Sequence, residues 1–337
     1  MLTPRIETPV GSNSLCPSAL APMQDVTGLP FMTIIGKRGE PDMFFTEFFR
    51  VHENSRLDPE ILTSISHNPT NRPVFAQLIG ENIQYIKRTI YDLKQYPIAG
   101  IDLNMGCPAP RVYKKKVGGA LLKDPKKIDQ ILGSMRAVWT GNLTVKMRIG
   151  FEDDRNFEEI LKIILKHQID MLSVHVRTVT GGYNTRPQYQ YVKKAVDLLG
   201  EKCPVLVNGS IDSAEDAWGL KQKLGTYGVM IGRAAIRNPW IFRQIREVSQ
   251  GATPYVPKRA DLYFYCHELY EKLKKPGMEE QKMVSRMKKF LNYIGAAIMD
   301  NGVFLNQMRR AFLKDELFGI FREHLLDGDK SNMEIYT

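Results

Sequence analysis

Eight short apolar runs, set between stretches with helical spacing, constrain the fold of this 337-residue chain more than any other feature. They fall at residues 19–23, 42–47, 73–78, 98–101, 143–148, 171–175, 204–209 and 228–233. Helical patterns lie between most of them, as in Ile128, Ile131, Leu132, Met135 and Val138, or Ile160, Ile163, Ile164 and Leu165. Buried runs alternating with amphipathic helices imply parallel strands joined by helical crossovers. Eight such units predict an α/β fold of the (β/α)8 TIM-barrel type; a doubly wound sheet would normally use fewer strands. From about Pro257 the pattern is helical only, with amphipathic segments at 262–273, 280–299 and 307–325. The expected organisation is a flexible N-terminal arm (1–18), a barrel (19–250) and a C-terminal all-helical bundle (257–327). Residues after Asp327 are expected to fray.

The strands of such a barrel point their C-terminal ends at one mouth. The eight runs end at or near Met23, Glu47, Gln77, Asn104, Lys146, His175, Asn208 and Arg233. Singly, each has an ordinary explanation. Gln77 or Asn208 could cap a turn, and His175 could be a hydrogen-bonded core histidine. Eight polar or soft side chains at one mouth are hard to explain as packing. The fourth run continues as Asp102-Leu103-Asn104-Met105-Gly106-Cys107-Pro108, which places a cysteine on a loop just past a buried strand.

The chain has 47 Lys and Arg against 37 Asp and Glu, a net charge of +10. That excess permits an anionic polymer as partner. Basic clusters occur at Lys114, Lys115 and Lys116, and at Lys282, Arg286 and Lys289, which share one helical face. The four cysteines, Cys16, Cys107, Cys203 and Cys266, form no CxxC pair and have no zinc-type spacing with histidine. Disulfides and a bound metal are not expected, and a reducing cytoplasm is the expected location. The N-terminus lacks a signal-peptide pattern, and no apolar stretch reaches the ~20 residues that span a membrane.

Loops after strands seven and eight of such a barrel commonly hold phosphate, and Asn208-Gly209-Ser210 and Gly232-Arg233-Ala234 stand at those points. P-loop and GxGxxG patterns are absent, which argues against a dinucleotide in a Rossmann site. A phosphorylated cofactor across the mouth fits better. Lys146 would offset negative charge on a reduced flavin ring, Ala21-Pro22-Met23 would supply a backbone edge and a thioether, and Gln77 would bond its pyrimidine side.

These residues resemble the flavin-dependent tRNA-dihydrouridine synthases. The likeness rests on Leu20-Ala21-Pro22-Met23, Thr46-Glu47, Ala76-Gln77-Leu78, the Asp102 to Pro108 stretch, Gly118-Gly119-Ala120-Leu121-Leu122, Val145-Lys146-Met147-Arg148, His175-Val176-Arg177-Thr178, Asn208-Gly209, and Ile231-Gly232-Arg233-Ala234 with Asn238-Pro239-Trp240. It implies an oxidoreductase that reduces the C5=C6 bond of uridines in tRNA, with FMN as cofactor and NADPH as electron donor. Hydride would pass from flavin N5 to C6, and Cys107 would protonate C5. Asn104, Lys146, Arg148 and His175, joined by Arg177, would surround the base and the ring. The two basic clusters would touch RNA phosphates.

The sequence departs from the family at residues 183–189, where many members carry Tyr-x-Gly-x-Ala-Asp-Trp, and at Ser210, where an acid is usual. The rival reading is an FMN barrel reductase or dehydrogenase of a small pyrimidine, similar to dihydroorotate dehydrogenases. A small substrate requires neither the net charge nor the basic helices. A tRNA-binding protein without catalysis would not need Cys107, Lys146 and His175.

Overall fold

The computed structural model describes residues 14–298 and 300–335. Nine parallel strands are present among them: β1 (Ser18–Leu20), β2 (Met43–Phe45), β3 (Phe49–Arg50), β4 (Val74–Ile79), β5 (Gly100–Met105), β6 (Asn142–Arg148), β7 (Met171–His175), β8 (Val205–Asn208) and β9 (Gly228–Ile231). The order β2-β1-β9-β8-β7-β6-β5-β4 closes through a β2–β4 pairing, giving the eight-stranded barrel that the apolar runs predict. The extra strand β3 is a two-residue extension beside Leu78 and Ile79.

Helix boundaries follow local chemistry. Asp58, Asn82, Asp124 and Ser213 each accept backbone N–H groups at the start of a helix, and Pro59 and Pro125 occupy the first turn. The helix Ala214–Leu224 ends at Gly225, in the left-handed conformation.

Strand side chains alternate between two environments. Ile101, Leu103, Met105, Leu143, Val145 and Met147 face the surrounding helices in the main core. The alternate positions fill the barrel in layers. Its lower part is an apolar plug of Ala19, Ala21, Met43, Phe45, Phe75, Met171, Leu206 and Met230, with Phe45 and Phe75 stacked at 5.0 Å. Above it lies a buried polar layer of Gln77, Asp102, Thr144 and Ser173. Gln77, Asp102 and Thr144 stand side by side, because β4, β5 and β6 pair at those residues. One layer higher are Asn104 and Lys146, again in register, then Arg148 beside His175, with His175 beside Asn208.

The C-terminal region holds helices Arg259–Leu273, Glu280–Ile294, Val303–Arg310 and Lys314–Leu325. The segment expected as one helix over 307–325 is broken at Ala311 to Leu313. There the Glu316 carboxylate accepts the N–H groups of Phe312 and Leu313 and starts a new helix. Residues 328–335 are pinned rather than frayed. Glu334 bridges to Lys258, Arg259 donates to the Met333 carbonyl at 2.8 Å, and Ile335 is buried. Of the expected N-terminal arm, residues 1–13 lie outside the described residues. Cys16, Pro17 and Ser18 are buried, with Pro17 accepting from Val229 and Ser18 bonded to Asp42. The helical region shares the barrel's core: Phe290 packs on Phe31 at 5.6 Å, Tyr265 donates to the Ile236 carbonyl at 3.0 Å, and Arg38 pairs with Glu268 at 2.7 Å.

Candidate active site

The C-terminal mouth of the barrel opens into a cavity of about 310 Å³, at the lower end of the range for ligand sites. Ala21, Pro22, Met23, Asn104, Cys107, Lys146, Arg148, His175, Asn208, Gly209, Ser210, Gly232 and Arg233 line it. Thirteen expected residues are therefore brought together from six strand ends.

Cys107 lies two residues beyond β5 and is half-buried against Phe48, Ile79, Val112 and Val117. Its loop is held at several points. Asn104 Oδ1 accepts the N–H groups of Gly106 and Cys107, both at 3.0 Å. Arg148 Nε donates to the Gly106 carbonyl at 3.0 Å, and its Nη1 to that of Thr178 at 2.8 Å. Gly119 N donates to the Cys107 carbonyl at 3.3 Å, and a Cβ at Gly119 would lie 2.9 Å from that oxygen. The other three cysteines are buried, and burial pushes the Cys16 thiol up to about 12.

The opposite wall is cationic. Lys146 Nζ donates to Asn208 Oδ1 at 3.0 Å, and Asn208 Nδ2 to the Met230 carbonyl at 2.7 Å. Burial, helped by Arg148, brings Lys146 down to about 8. Burial, with Arg148 and Lys146 nearby, drives His175 far below its usual range and keeps it neutral. His175 Nδ1 is buried without a partner. Gly209 has φ +100°, and a Cβ there would stand 2.9 Å from His175 Nε2, so only glycine lets this loop approach the ring. Asp212 is the one carboxylate among the described lining residues.

Two expected contacts stand behind the wall instead. Gln77 is fully buried, with its amide spent on Asp102 (2.7 Å) and Asn104 (2.8 Å), so it supports Asn104 rather than lining the cavity. Arg177 is buried and ties the Thr185 carbonyl (2.6 Å) to Ser210 Oγ (2.7 Å), joining two rim loops. Lys114, Lys115 and Lys116 are exposed on the turn after Pro110–Tyr113 and do not line the cavity.

Two aromatic residues also form the wall, Tyr183 from the atypical 183–189 loop, which was expected to border the mouth, and Tyr293, which was not foreseen. Tyr183, half exposed, lies under Arg233 at 4.0 Å and Arg148 at 5.4 Å, edge-on to His175 at 5.9 Å. Tyr293 reaches the cavity from the helical region. Nothing local distinguishes Tyr293 from any exposed helical tyrosine.

A larger groove, about 900 Å³, runs between the barrel and the helical region and meets the cavity at Gln24 and Val26. Lys282, Arg286 and Lys289 line it, with Lys272, Lys274 and Lys275. Lys289 pairs with Asp25 at 3.3 Å and Lys275 with Glu60, so two exposed ion pairs cross it. Glu47 accepts from Gln24 Nε2 (2.8 Å) and Asp25 N (2.9 Å) at the junction.

No helix among the described residues is long and apolar enough to cross a membrane, and none of their His, Cys, Asp and Glu side chains form a group able to hold a metal ion. Curated relatives include a "Probable tRNA-dihydrouridine synthase" of Staphylococcus aureus (strain COL), 32% identical over 67% of this chain and 70% of its own length. A "tRNA-dihydrouridine(16) synthase" of Neisseria meningitidis is 28% identical over 90% of this chain and 93% of its own. A "Probable tRNA-dihydrouridine synthase 2" of Bacillus subtilis is 27% identical over 92% and 95%. The family model for dihydrouridine synthase matches residues 19–327, most of both the barrel and the helical region, and the chain belongs to that family.

Proposed function

We propose that this chain is an FMN-dependent tRNA-dihydrouridine synthase that uses NADPH to reduce the C5=C6 bond of a uracil base in tRNA. The observation that carries the reading is Cys107, held at the rim of a cationic cavity that opens onto a basic groove.

The residues present fit FMN. His175 Nδ1 is a buried polar atom awaiting a partner. Around Gly232 the nearest atoms to a would-be Cβ are Met23 Sδ at 3.5 Å and Ala21 Cβ at 3.6 Å, which leaves backbone open to a ligand. Gly209, Ser210, Gly232 and Arg233 would hold the phosphate, and Ala21, Pro22 and Met23 the ring edge. Bound FMN, recharged by NADPH, would supply the hydride that saturates C6.

The chain's own side chains do the rest. Lys146 offsets negative charge from a largely buried position, where a cation counts for more than in bulk solvent. Cys107 delivers its proton to C5. Asn104 offers its amide to the base, while Arg148 fixes the carbonyl side of the Cys107 loop. The target base must leave its stack to enter so narrow a cavity. Lys282, Arg286 and Lys289 would grip phosphates along the groove, and Lys114, Lys115 and Lys116 would extend that field.

The test is dihydrouridine content, by nucleoside mass spectrometry, of unmodified tRNA incubated with protein, FMN and NADPH. The parent is expected to form it and Cys107→Ala to form almost none. Mapping the product identifies the uridine reduced. Flavin-loaded protein that NADPH reduces, yet that forms no dihydrouridine in any tRNA, would refute the assignment.

A further inference from the structure

Asp102 is completely buried beneath the cavity and does not line it. Its two oxygens are both engaged, Oδ1 by the Thr144 hydroxyl at 2.6 Å and Oδ2 by Gln77 Nε2 at 2.7 Å. Both oxygens accept, as those of a carboxylate do, and Thr144, Gln77 and Lys146 favour the charged form against the upward push of burial.

An ionised carboxylate only accepts hydrogen bonds. The Gln77 amide must therefore turn its Nε2 toward Asp102, which leaves Oε1 facing Asn104. Asn104 must then present Nδ2 to Gln77 (2.8 Å), which leaves Oδ1 facing the loop. That oxygen accepts the Gly106 and Cys107 N–H groups. Each amide could otherwise sit in either of two flipped states. A flipped Asn104 would set an NH2 group against two N–H donors and release the loop. Chains of this kind, out of water, reinforce one another along their length.

We infer that Asp102 is a positioning residue, which sets the direction of a hydrogen-bonded chain through Gln77 and Asn104 and so holds the loop that carries Cys107. Its catalytic consequence rests on the proposed role of Cys107; its effect on the loop does not. The other anchors, Arg148 and Gly119, hold carbonyl groups and cannot replace this one.

The test measures iodoacetamide labelling of Cys107, by peptide mass spectrometry, in the full chain without RNA. The remaining cysteines are buried and label slowly. Asp102→Leu fills nearly the same space but accepts nothing, and Gln77→Met cuts the next link. Both are expected to label about fivefold faster than the parent, the scale set by one net hydrogen bond. Asp102→Asn keeps an oxygen for Gln77 and is expected to stay within about twofold of the parent. With tRNA, Asp102→Leu is expected to lower kcat about tenfold and shift KM less than about twofold.

If Asp102→Leu does not fold, the comparison of Gln77→Met with Asp102→Asn decides the matter. Labelling within twofold of the parent in folded Asp102→Leu or Gln77→Met overturns the inference. So does Asp102→Asn labelling as fast as those variants, or a loss in Asp102→Leu confined to KM. A protein that forms no dihydrouridine would refute the reaction while leaving the labelling result to be read on its own.

Discussion

Glu47→Gln should stabilise the protein at pH 8 and do little near pH 4.5. Burial pushes the Glu47 carboxyl up to about 7, only partly relieved by the Asp25 and Val26 N–H groups, while Asp25 and Asp58 add repulsion. An unfolded glutamate titrates near 4.3. The folded state thus holds the proton more tightly than the unfolded one. The associated stability is complete below about pH 4.3 and is lost as pH rises through about 7. A shift of about 2.5 units at 1.36 kcal/mol each amounts to about 3 kcal/mol, and about 2 after allowance for partial exposure. Glutamine has no charge to lose, and its carbonyl oxygen can still accept from Gln24 and Asp25, which both use one oxygen of Glu47. Urea unfolding of parent and variant at pH 4.5 and pH 8, at one salt concentration, measures the difference. The gap should open by about 2 kcal/mol across that interval. A gap that is the same at both values, or that favours the parent at pH 8, would show that Glu47 is not held in an unfavourable charged state.

Two further outcomes follow from the site. Gly209→Ala forces a side chain into a left-handed position against His175 and should raise the FMN dissociation constant about tenfold or more, read by flavin fluorescence; unchanged affinity would remove the Asn208 to Ser210 loop from the cofactor site. Replacing Lys282, Arg286 and Lys289 together by Glu should weaken tRNA binding and flatten its dependence on log salt by about 2 units, with the flavin spectrum unaltered. An unchanged slope would place the RNA elsewhere.

The barrel was legible because parallel strands buried on both faces read as short apolar runs while the helices between them keep a 3.6 period, and eight such units leave few alternatives. The mouth was legible for the same reason, since a polar residue ending a buried run has few other places to go. Depth was not legible. Gln77 and Asn104 are both inward amides near strand ends, yet β4–β5 register puts Gln77 beside Asp102, one layer below the cavity. Arg177 resembles Arg148 in sequence, but its guanidinium turns to the rim loops. The break at Ala311 to Leu313 was hidden because the apolar spacing continues through it, and the Glu316 cap only acts once the chain has turned. The pinned tail depends on Glu334 meeting Lys258, a pairing no local pattern announces.

Tyr293 carries a consequence for how such proteins can be recombined. Because a side chain of the Glu280–Ile294 helix forms part of the cavity wall, the helical region is not an interchangeable handle. Grafting the tail of one relative onto the barrel of another exchanges the proposed RNA-binding groove and one face of the cavity in the same operation. A chimera that changes which uridine is reduced therefore carries two altered variables. Exchanging residue 293 alone, in both directions, separates where the RNA is held from how the base is received.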